Sequence, residues 1–124
     1  MPEWEIFITK EVNEFLDDLY DVDQRSHRLV NLAILKLQQV GPTLGRPLVD
    51  SITGSKIANM KELRPGSAGG SEIRILFAFD PWRSAILLVI GDKSGRWKQW
   101  YQEAIPRAEQ LYDRYLIDRK AEVE

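Results

Sequence analysis

An α+β fold is predicted for this chain of 124 residues, with helices packed on an antiparallel sheet. Three observations predict it. A short alternating strand opens the chain, apolar residues recur at helical spacing up to residue 40, and strand-like runs flank the glycine-rich segment at 65–70. Helices and strands grouped in blocks, rather than alternating, are typical of α+β domains. A chain of this length suits one domain, here residues 1–124.

The N-terminal segment predicts one strand and a helical hairpin. Residues 4–8, WEIFI, alternate and are rich in β-formers. Thr9 suits the N-cap of the first helix. Its buried stripe has the i, i+3, i+4, i+7 spacing, at Val12, Phe15, Leu16 and Leu19. After the DVDQ turn, a second helix has a broad apolar face, at Leu29, Val30, Ala33, Ile34, Leu37 and Val40. Gly41-Pro42 ends this second helix.

The remaining chain predicts a strand meander and a final helix. Residues 41–56 are expected to form an irregular connection, because glycine and proline recur there. Three antiparallel strands follow, over residues 57–64, 71–80 and 84–92. Pro106 is a good first-turn residue, so the last helix is predicted to start near it. We expect the helices mainly on one face of the sheet and the opposite face open.

Alternation within the second meander strand separates a core face from a charged face. One face carries the apolar side chains of Ile73, Ile75, Phe77 and Phe79. Arg74 belongs to the other face, which is expected to be open. On the preceding strand, Lys61 and Arg64 would point to opposite faces of a regular strand. Both could reach one phosphate only if a twist or bulge intervenes near Pro65.

Composition excludes several kinds of catalytic site. Cysteine is absent, so neither disulfides nor thiolate metal sites can form. The single histidine, His27, lies in the first turn of the second helix and is interpreted as a solvated helix residue. No Walker-type phosphate loop and no GxSxG motif is present. With no run of about 18 apolar residues and no signal-like start, we expect a cytoplasmic protein without a membrane span.

Charge and aromatic residues cluster in the middle of the chain. Residues 1–35 carry a net charge of −5, whereas residues 36–107 carry +5. The basic segment brings cations onto paired strands and then interleaves cations with aromatic residues in GDKSGRWKQWY. Arginine binds phosphate oxygens, and aromatic rings stack on unpaired bases. The candidate RNA-binding residues are Arg96, Trp97, Lys98 and Trp100, although the aromatic ones could instead anchor the last helix to the sheet.

The succession MKELRPG, SEIRILFAFDP, AILLVIGDKSGRW and IPRAEQLYDRYL resembles the RelE/HigB superfamily of bacterial toxins, in its phage-derived HigB-like branch. The resemblance implies a RelE-like fold and the toxin of a type II toxin–antitoxin system. It further implies a ribosome-dependent mRNA endoribonuclease that needs no metal or other cofactor. A helix-turn-helix antitoxin would be the partner. Many relatives have a more basic HGF-KK sequence where this chain has VIGDKSG.

Carried onto this sequence, the resemblance implies catalytic roles for Lys61, Arg64, Arg74 and Lys93. Tyr101 stands in for the tyrosine or histidine that ends many relatives. The arginines would stabilise the phosphorane, Lys61 is the candidate base, and Lys93 or Tyr101 the candidate acid. Glu62 is assigned no chemistry, since it would lie on the strand face opposite Lys61.

Two other functions stay open at this stage. A ParE-like toxin would bind gyrase and would need no basic cluster on the sheet. A non-catalytic interaction domain would use the same cations to bind an acidic protein. Purified protein tested with ribosomes and mRNA separates these functions, because only the nuclease makes cuts in the ribosomal A site.

Overall fold

A computed structural model describes residues 3–67 and 69–124 of the chain. It confirms the predicted α+β class. In chain order the elements are β1 (Glu5–Ile8), α1 (Lys10–Val22), α2 (Gln24–Val40), a 3₁₀ turn (Gly41–Thr43), β2 (Val49–Ser51), β3 (Lys61–Leu63), β4 (Ile73–Phe79), β5 (Ser84–Asp92) and α3 (Trp97–Val123).

The sheet has five strands in the order β1-β5-β4-β3-β2. The predicted antiparallel meander is present as β3, β4 and β5. β1 joins it in parallel to β5, so the sheet is mixed. β2 lies inside the connection that was predicted to be irregular, and pairs with β3 at the edge of the sheet. A strand of three residues has no periodicity to detect, which is why the sequence did not reveal it.

The hairpin of α1 and α2 covers one face of the sheet, as predicted. Thr9 caps α1 by accepting a hydrogen bond from the Val12 amide at 3.3 Å, and its hydroxyl donates to the Leu88 carbonyl at 2.8 Å. Asp23 caps α2 by accepting from the Ser26 amide at 3.1 Å. The stripes of both helices pack on the predicted core face of β4, including Ile75 and Phe77.

The opposite face of the sheet is not open, which corrects one prediction. α3 packs across it and buries a second core, formed with Leu76, Ala78, Ile86, Leu88, Trp100, Ala104, Ala108 and Tyr112. α3 also begins at Trp97 rather than near Pro106, which lies inside the helix. Proline is disfavoured in the interior of a helix because it lacks an N–H donor. Here the burial of Trp100 and Ala104 before Pro106 extends the helix past this unfavourable residue.

β5 is buried on both faces because α1 and α2 cover one face of the sheet and α3 covers the other. Its register with β4 shifts once. Leu76 pairs with Val89 but Phe77 pairs with Leu87, so Leu88 is the extra residue of a β-bulge. The bulge turns both Leu88 and Val89 toward α3. One strand thereby supplies apolar side chains to both cores.

Two tryptophans stack closely on glycines at the ends of the fold. A Cβ at Gly91 would lie 2.2 Å from the indole nitrogen of Trp100, so only glycine lets α3 approach β5 this closely. Gly41, with a φ of 75°, sits in the same way beneath Trp4. The end of β5 is thus fixed to the start of α3.

The first meander strand is shorter than predicted. Residues 57–60 form turns, and only Lys61–Leu63 pair with β4. The glycine-rich segment connects β3 to β4, although Ala68, at the centre of the predicted hairpin tip, lies outside the described residues.

Candidate active site

Two arginines meet where β3 and β4 end together. The last paired positions are Leu63 and Ile75, so Arg64 and Arg74 occupy the next positions in the register. The Arg64 amide donates to the Leu48 carbonyl at 2.6 Å, which fixes the chain as it leaves β3. Both side chains are half-buried and turn toward the face covered by α3.

Glu62 and Tyr101 form the centre of this site. The Tyr101 hydroxyl donates to Oε2 of Glu62 at 2.5 Å, and Glu62 is only 7% exposed. Burial raises the pKa of Tyr101 well above its usual range, and the hydrogen bond to Glu62 and its negative charge raise it further. The charges of Arg74 and Arg64 oppose that increase in the pKa. Tyr101 therefore holds its proton and donates it in the hydrogen bond to Glu62.

Lys93 completes the cationic side of the site. It follows the end of β5, where its amide donates to the Glu72 carbonyl at 3.1 Å. Its Nζ lies 5.5 Å from the centre of the Tyr101 ring, within the range of a cation–π contact. We call Glu62, Arg64, Arg74, Lys93 and Tyr101 the Glu62–Tyr101 site.

The guanidinium of Arg74 is only partly satisfied. One terminal nitrogen donates to the Ile73 carbonyl at 2.9 Å. Its Nε is buried and, among the described residues, has no hydrogen-bond partner. A buried donor without a partner carries a desolvation cost, which an anionic ligand at this position would remove.

Lys61 lies away from the Glu62–Tyr101 site. Its Nζ is 6.0 Å from the ring centre of Phe79, on the face that α1 and α2 cover. Arg64 instead reaches Glu62, with 3.8 Å between Nε and Oε1. The expected side-chain parity therefore holds, and no twist near Pro65 brings Lys61 and Arg64 together. Lys61 therefore lies on the opposite face of the sheet from the Glu62–Tyr101 site.

Of the candidate RNA-binding residues, Trp100 is a core residue. It is 6% exposed and packs on Gly91, so it has no free face for a base. Trp97, one helical turn earlier, is 59% exposed, and Lys98 is also exposed. Arg96 is held by Glu103, with 3.0 Å between NH2 and Oε2. The predicted set is thus divided between the interior and the surface.

Glu62 lies at the centre of the site, although the sequence did not predict it as a site residue. The sequence does indicate that Glu62 and Arg64 lie on the same face of the strand, since residues two apart on a strand share a face. Its partner Tyr101 is 39 positions away on α3. That contact was hidden because the helix was expected to begin only after Tyr101.

His27, the single histidine, is a residue of α2. His27 is half-buried on α2 and packs edge-on against Tyr20, with 5.2 Å between ring centres. This is a structural role. Across residues 3–67 and 69–124, no helix has the length and apolar character needed to cross a membrane.

Residues 17–113 match the family described as phage-derived protein Gp49-like. The chain belongs to this phage-derived family. It is 51% identical over 108 residues to a Mycobacterium tuberculosis protein named as a candidate toxin, HigB2. A second protein of that organism, named as candidate toxin HigB3, is 57% identical over 84 residues. These matches confirm the predicted likeness to the phage-derived, HigB-like branch.

The aligned regions differ in extent. The match to HigB2 covers 87% of this chain but 54% of HigB2, so the chain spans about half of that relative. The match to HigB3 covers 68% of this chain and 71% of HigB3. The family match extends from α1 into α3 and so includes every residue of the Glu62–Tyr101 site.

Proposed function

We propose that this protein is the toxin of a type II toxin–antitoxin system and cuts mRNA on the ribosome. The carrying observation is the Glu62–Tyr101 site, in which three cations surround a hydrogen-bonded tyrosine–carboxylate pair. Its cations suit a phosphate, and the pair suits proton transfer. The toxin names of the two relatives support the same function.

The proposed reaction needs no metal, because RNA carries its own nucleophile. The 2′-hydroxyl oxygen attacks the adjacent phosphorus, which forms the O2′–P bond and breaks the P–O5′ bond. The products carry a 2′,3′-cyclic phosphate and a 5′-hydroxyl. Arg64 and Arg74 stabilise the negative charge that develops on the phosphorane oxygens. The partly unsatisfied guanidinium of Arg74 gains a hydrogen-bond acceptor in this complex.

Two protons must move during this step. The proton of the 2′-hydroxyl passes to the Tyr101 oxygen while the Tyr101 proton passes to Glu62, along the existing 2.5 Å hydrogen bond. Lys93, beside the Tyr101 ring, donates a proton to the leaving 5′-oxygen. The base is therefore the Tyr101–Glu62 pair, in place of the Lys61 that the sequence suggested.

The direct test is mRNA cutting by purified protein on programmed ribosomes. We expect cuts in the A site, mapped by primer extension, and cyclic phosphate ends, identified by mass spectrometry. Arg74→Ala should slow cutting by about 10²–10³-fold, because it removes a group that stabilises the transition state. Arg74→Lys keeps the charge but loses the fork geometry, so we expect partial activity.

Arg114→Ala is the matched control, since that arginine lies on α3 with its side chain 76% exposed and pairs with Asp118, whose side chain is 56% exposed. It should cut at the wild-type rate. Folded wild-type protein that leaves ribosome-bound mRNA intact would refute the proposal. Gyrase inhibition by that protein would instead identify a ParE-like toxin, and inactivity in both assays would favour an interaction domain.

The proposal includes a partner and a cellular location. A helix-turn-helix antitoxin would neutralise the toxin, and both would act in the cytoplasm, where the ribosomes are. Where a small helix-turn-helix gene adjoins this one, its co-expression should relieve growth arrest. Growth arrest that persists when a helix-turn-helix neighbour is co-expressed would exclude that gene product as the antitoxin.

A further inference from the structure

A cavity of about 500 Å³ lies against α3, next to the Glu62–Tyr101 site. Tyr101 belongs to both, so the cavity and the site are adjacent. The opposite wall is the segment 53–56, which precedes β3. We call this the α3 cavity. Its volume falls within the range of small-molecule and nucleotide sites.

The walls of the α3 cavity are tied together by one side chain. Glu109 of α3 accepts hydrogen bonds from the Ser55 hydroxyl, at 3.0 Å, and from the Lys56 amide. The Ser55 oxygen in turn accepts from the Ile57 amide at 3.0 Å. The segment before β3 is therefore held against α3 before any ligand arrives, which reduces the entropic cost of binding.

The lining of the α3 cavity combines apolar groups and two lysines with the carboxylate of Glu109, whose Oε2 is already bound by the Ser55 hydroxyl and the Lys56 amide. Trp97 presents an indole that is 59% exposed, and Ile105 and Pro106 form an apolar surface along the helix. Lys56 and Lys98, both exposed, stand on the two opposite walls. An aromatic ring flanked by cations is suited to a base with its phosphates, because the ring stacks and the ammonium groups neutralise charge.

We propose that the α3 cavity holds one unpaired base of the RNA, next to the phosphate that is cut. Trp97 stacks on the base, and Lys56 and Lys98 contact the flanking phosphates. This inference rests on the proposed nuclease function and adds to it a place for the nucleotide beside the scissile bond. Because Tyr101 lines the cavity, a base seated there positions its ribose and phosphate at the Glu62–Tyr101 site.

The test is calorimetric titration of the full chain with the four nucleoside 3′,5′-bisphosphates. We expect wild-type protein to bind at least one of them. Trp97→Ala should weaken that binding about 5- to 150-fold, the range that corresponds to losing one stacked base. Trp82→Ala is the matched control, because Trp82 lies in the β4–β5 turn and is no part of the cavity. It should bind as wild type does.

A second variant locates the site. Gln102 is exposed and lines the α3 cavity, so Gln102→Trp fills the space without disturbing the core. We expect it to abolish bisphosphate binding. Lys56→Ala should weaken binding, and Lys36→Ala, an exposed lysine on α2, should not. Wild-type affinity in Gln102→Trp would overturn the proposal, because the nucleotide would then bind elsewhere.

The outcomes separate this inference from the proposed function. If ribosome-bound mRNA is cut but no bisphosphate binds, and Trp97→Ala cuts with unchanged KM, the inference fails and the nuclease stands. If a bisphosphate binds in a Trp97-dependent way but mRNA is not cut, the nuclease proposal fails and the nucleotide site stands.

Discussion

Two tyrosines on α3, about four helical turns apart, make the same contact with different consequences. Tyr101 donates to Glu62 at 2.5 Å, and Tyr115 donates to Asp80 at 2.5 Å. Both carboxylates are buried, with 7% exposure for Glu62 and 8% for Asp80. Each pair joins α3 to the sheet. The pairs differ in what else the carboxylate holds.

The carboxylate of Asp80 stabilises the β4–β5 turn. It accepts from the amides of Trp82 and Ser84, at 2.8 and 2.9 Å, in addition to the Tyr115 hydroxyl. These bonds close the β4–β5 turn, in which Arg83 adopts a left-handed φ of 65°. The fold itself thus fills three of the roughly four acceptor positions of this carboxylate.

Among the described residues, no backbone amide donates a hydrogen bond to the carboxylate of Glu62. Besides Tyr101, its charged contact is Arg64, with 3.8 Å between Nε and Oε1. Lys93 and the α3 cavity lie beside the same tyrosine. One hydrogen-bonded pair thus fixes a turn, whereas its counterpart retains acceptor capacity, which the proposed reaction would use.

The largest expected difference between the pairs is in activity. Glu62→Gln keeps a hydrogen-bond acceptor for Tyr101 but cannot take up its proton. We expect mRNA cutting to fall by about 10²–10⁴-fold, the usual contribution of general acid–base catalysis. The rate is measured on programmed ribosomes, with circular dichroism to confirm the fold. Cutting at the wild-type rate by folded Glu62→Gln would remove this residue from the mechanism.

The next difference is in stability. Asp80→Asn keeps Oδ1 as the acceptor for the amides of Trp82 and Ser84 but places an NH₂ donor against the Tyr115 hydroxyl. It also removes the charge that strengthens these bonds, so we expect the free energy of unfolding to fall by about 1–3 kcal/mol. Urea denaturation measures the loss. Cutting per folded molecule should stay at the wild-type level, since Asp80 has no part in the Glu62–Tyr101 site. A catalytic loss as large as that of Glu62→Gln would mean that the two pairs are not functionally distinct.

The smallest expected effect is on stability at alkaline pH, to which both pairs contribute. Burial, then the bonded carboxylate, raises the pKa of both Tyr101 and Tyr115. Their stabilising effect is therefore complete below the unfolded tyrosine pKa of about 10 and is lost as pH rises toward the folded pKa. We expect the urea midpoint to fall between about pH 9 and about pH 11.

Phenylalanine variants measure how much each tyrosine contributes to the fall of the urea midpoint at alkaline pH. Tyr101→Phe and Tyr115→Phe should each reduce the pH dependence of the urea midpoint, and the double variant should reduce it further. Tyr20→Phe, at an exposed position on α1, should leave it as in wild type. An undiminished dependence in the double variant would contradict the assignment to these two groups.

Local pattern predicted much of this fold. The stripes of α1 and α2 and the alternating faces of β4 follow from side-chain periodicity, which the sequence displays directly. The start of α3 was misplaced because Pro106 favours a first turn. Its true start depends on Trp100 packing on Gly91, a contact between distant elements.

The candidate site was predicted only in part, for a related reason. Arg64, Arg74, Lys93 and Tyr101 were named from the sequence, and the structure brings them together. Lys61 was grouped with them because the family resemblance implied a catalytic role for it, although strand geometry directs it to the other face. Glu62 was left aside because its role depends on Tyr101, which reaches it only through the packing of α3.

The parallel pairing of β1 with β5 has a consequence for synthesis of the protein. Glu5 pairs with Ser84, so the first strand made must wait for the fifth before it gains a partner. Tyr101 meets Glu62 later still, after the start of α3 has been made. Such long-range pairing comes late in folding. A nascent chain therefore lacks its paired tyrosine and carboxylate until most of it has been translated.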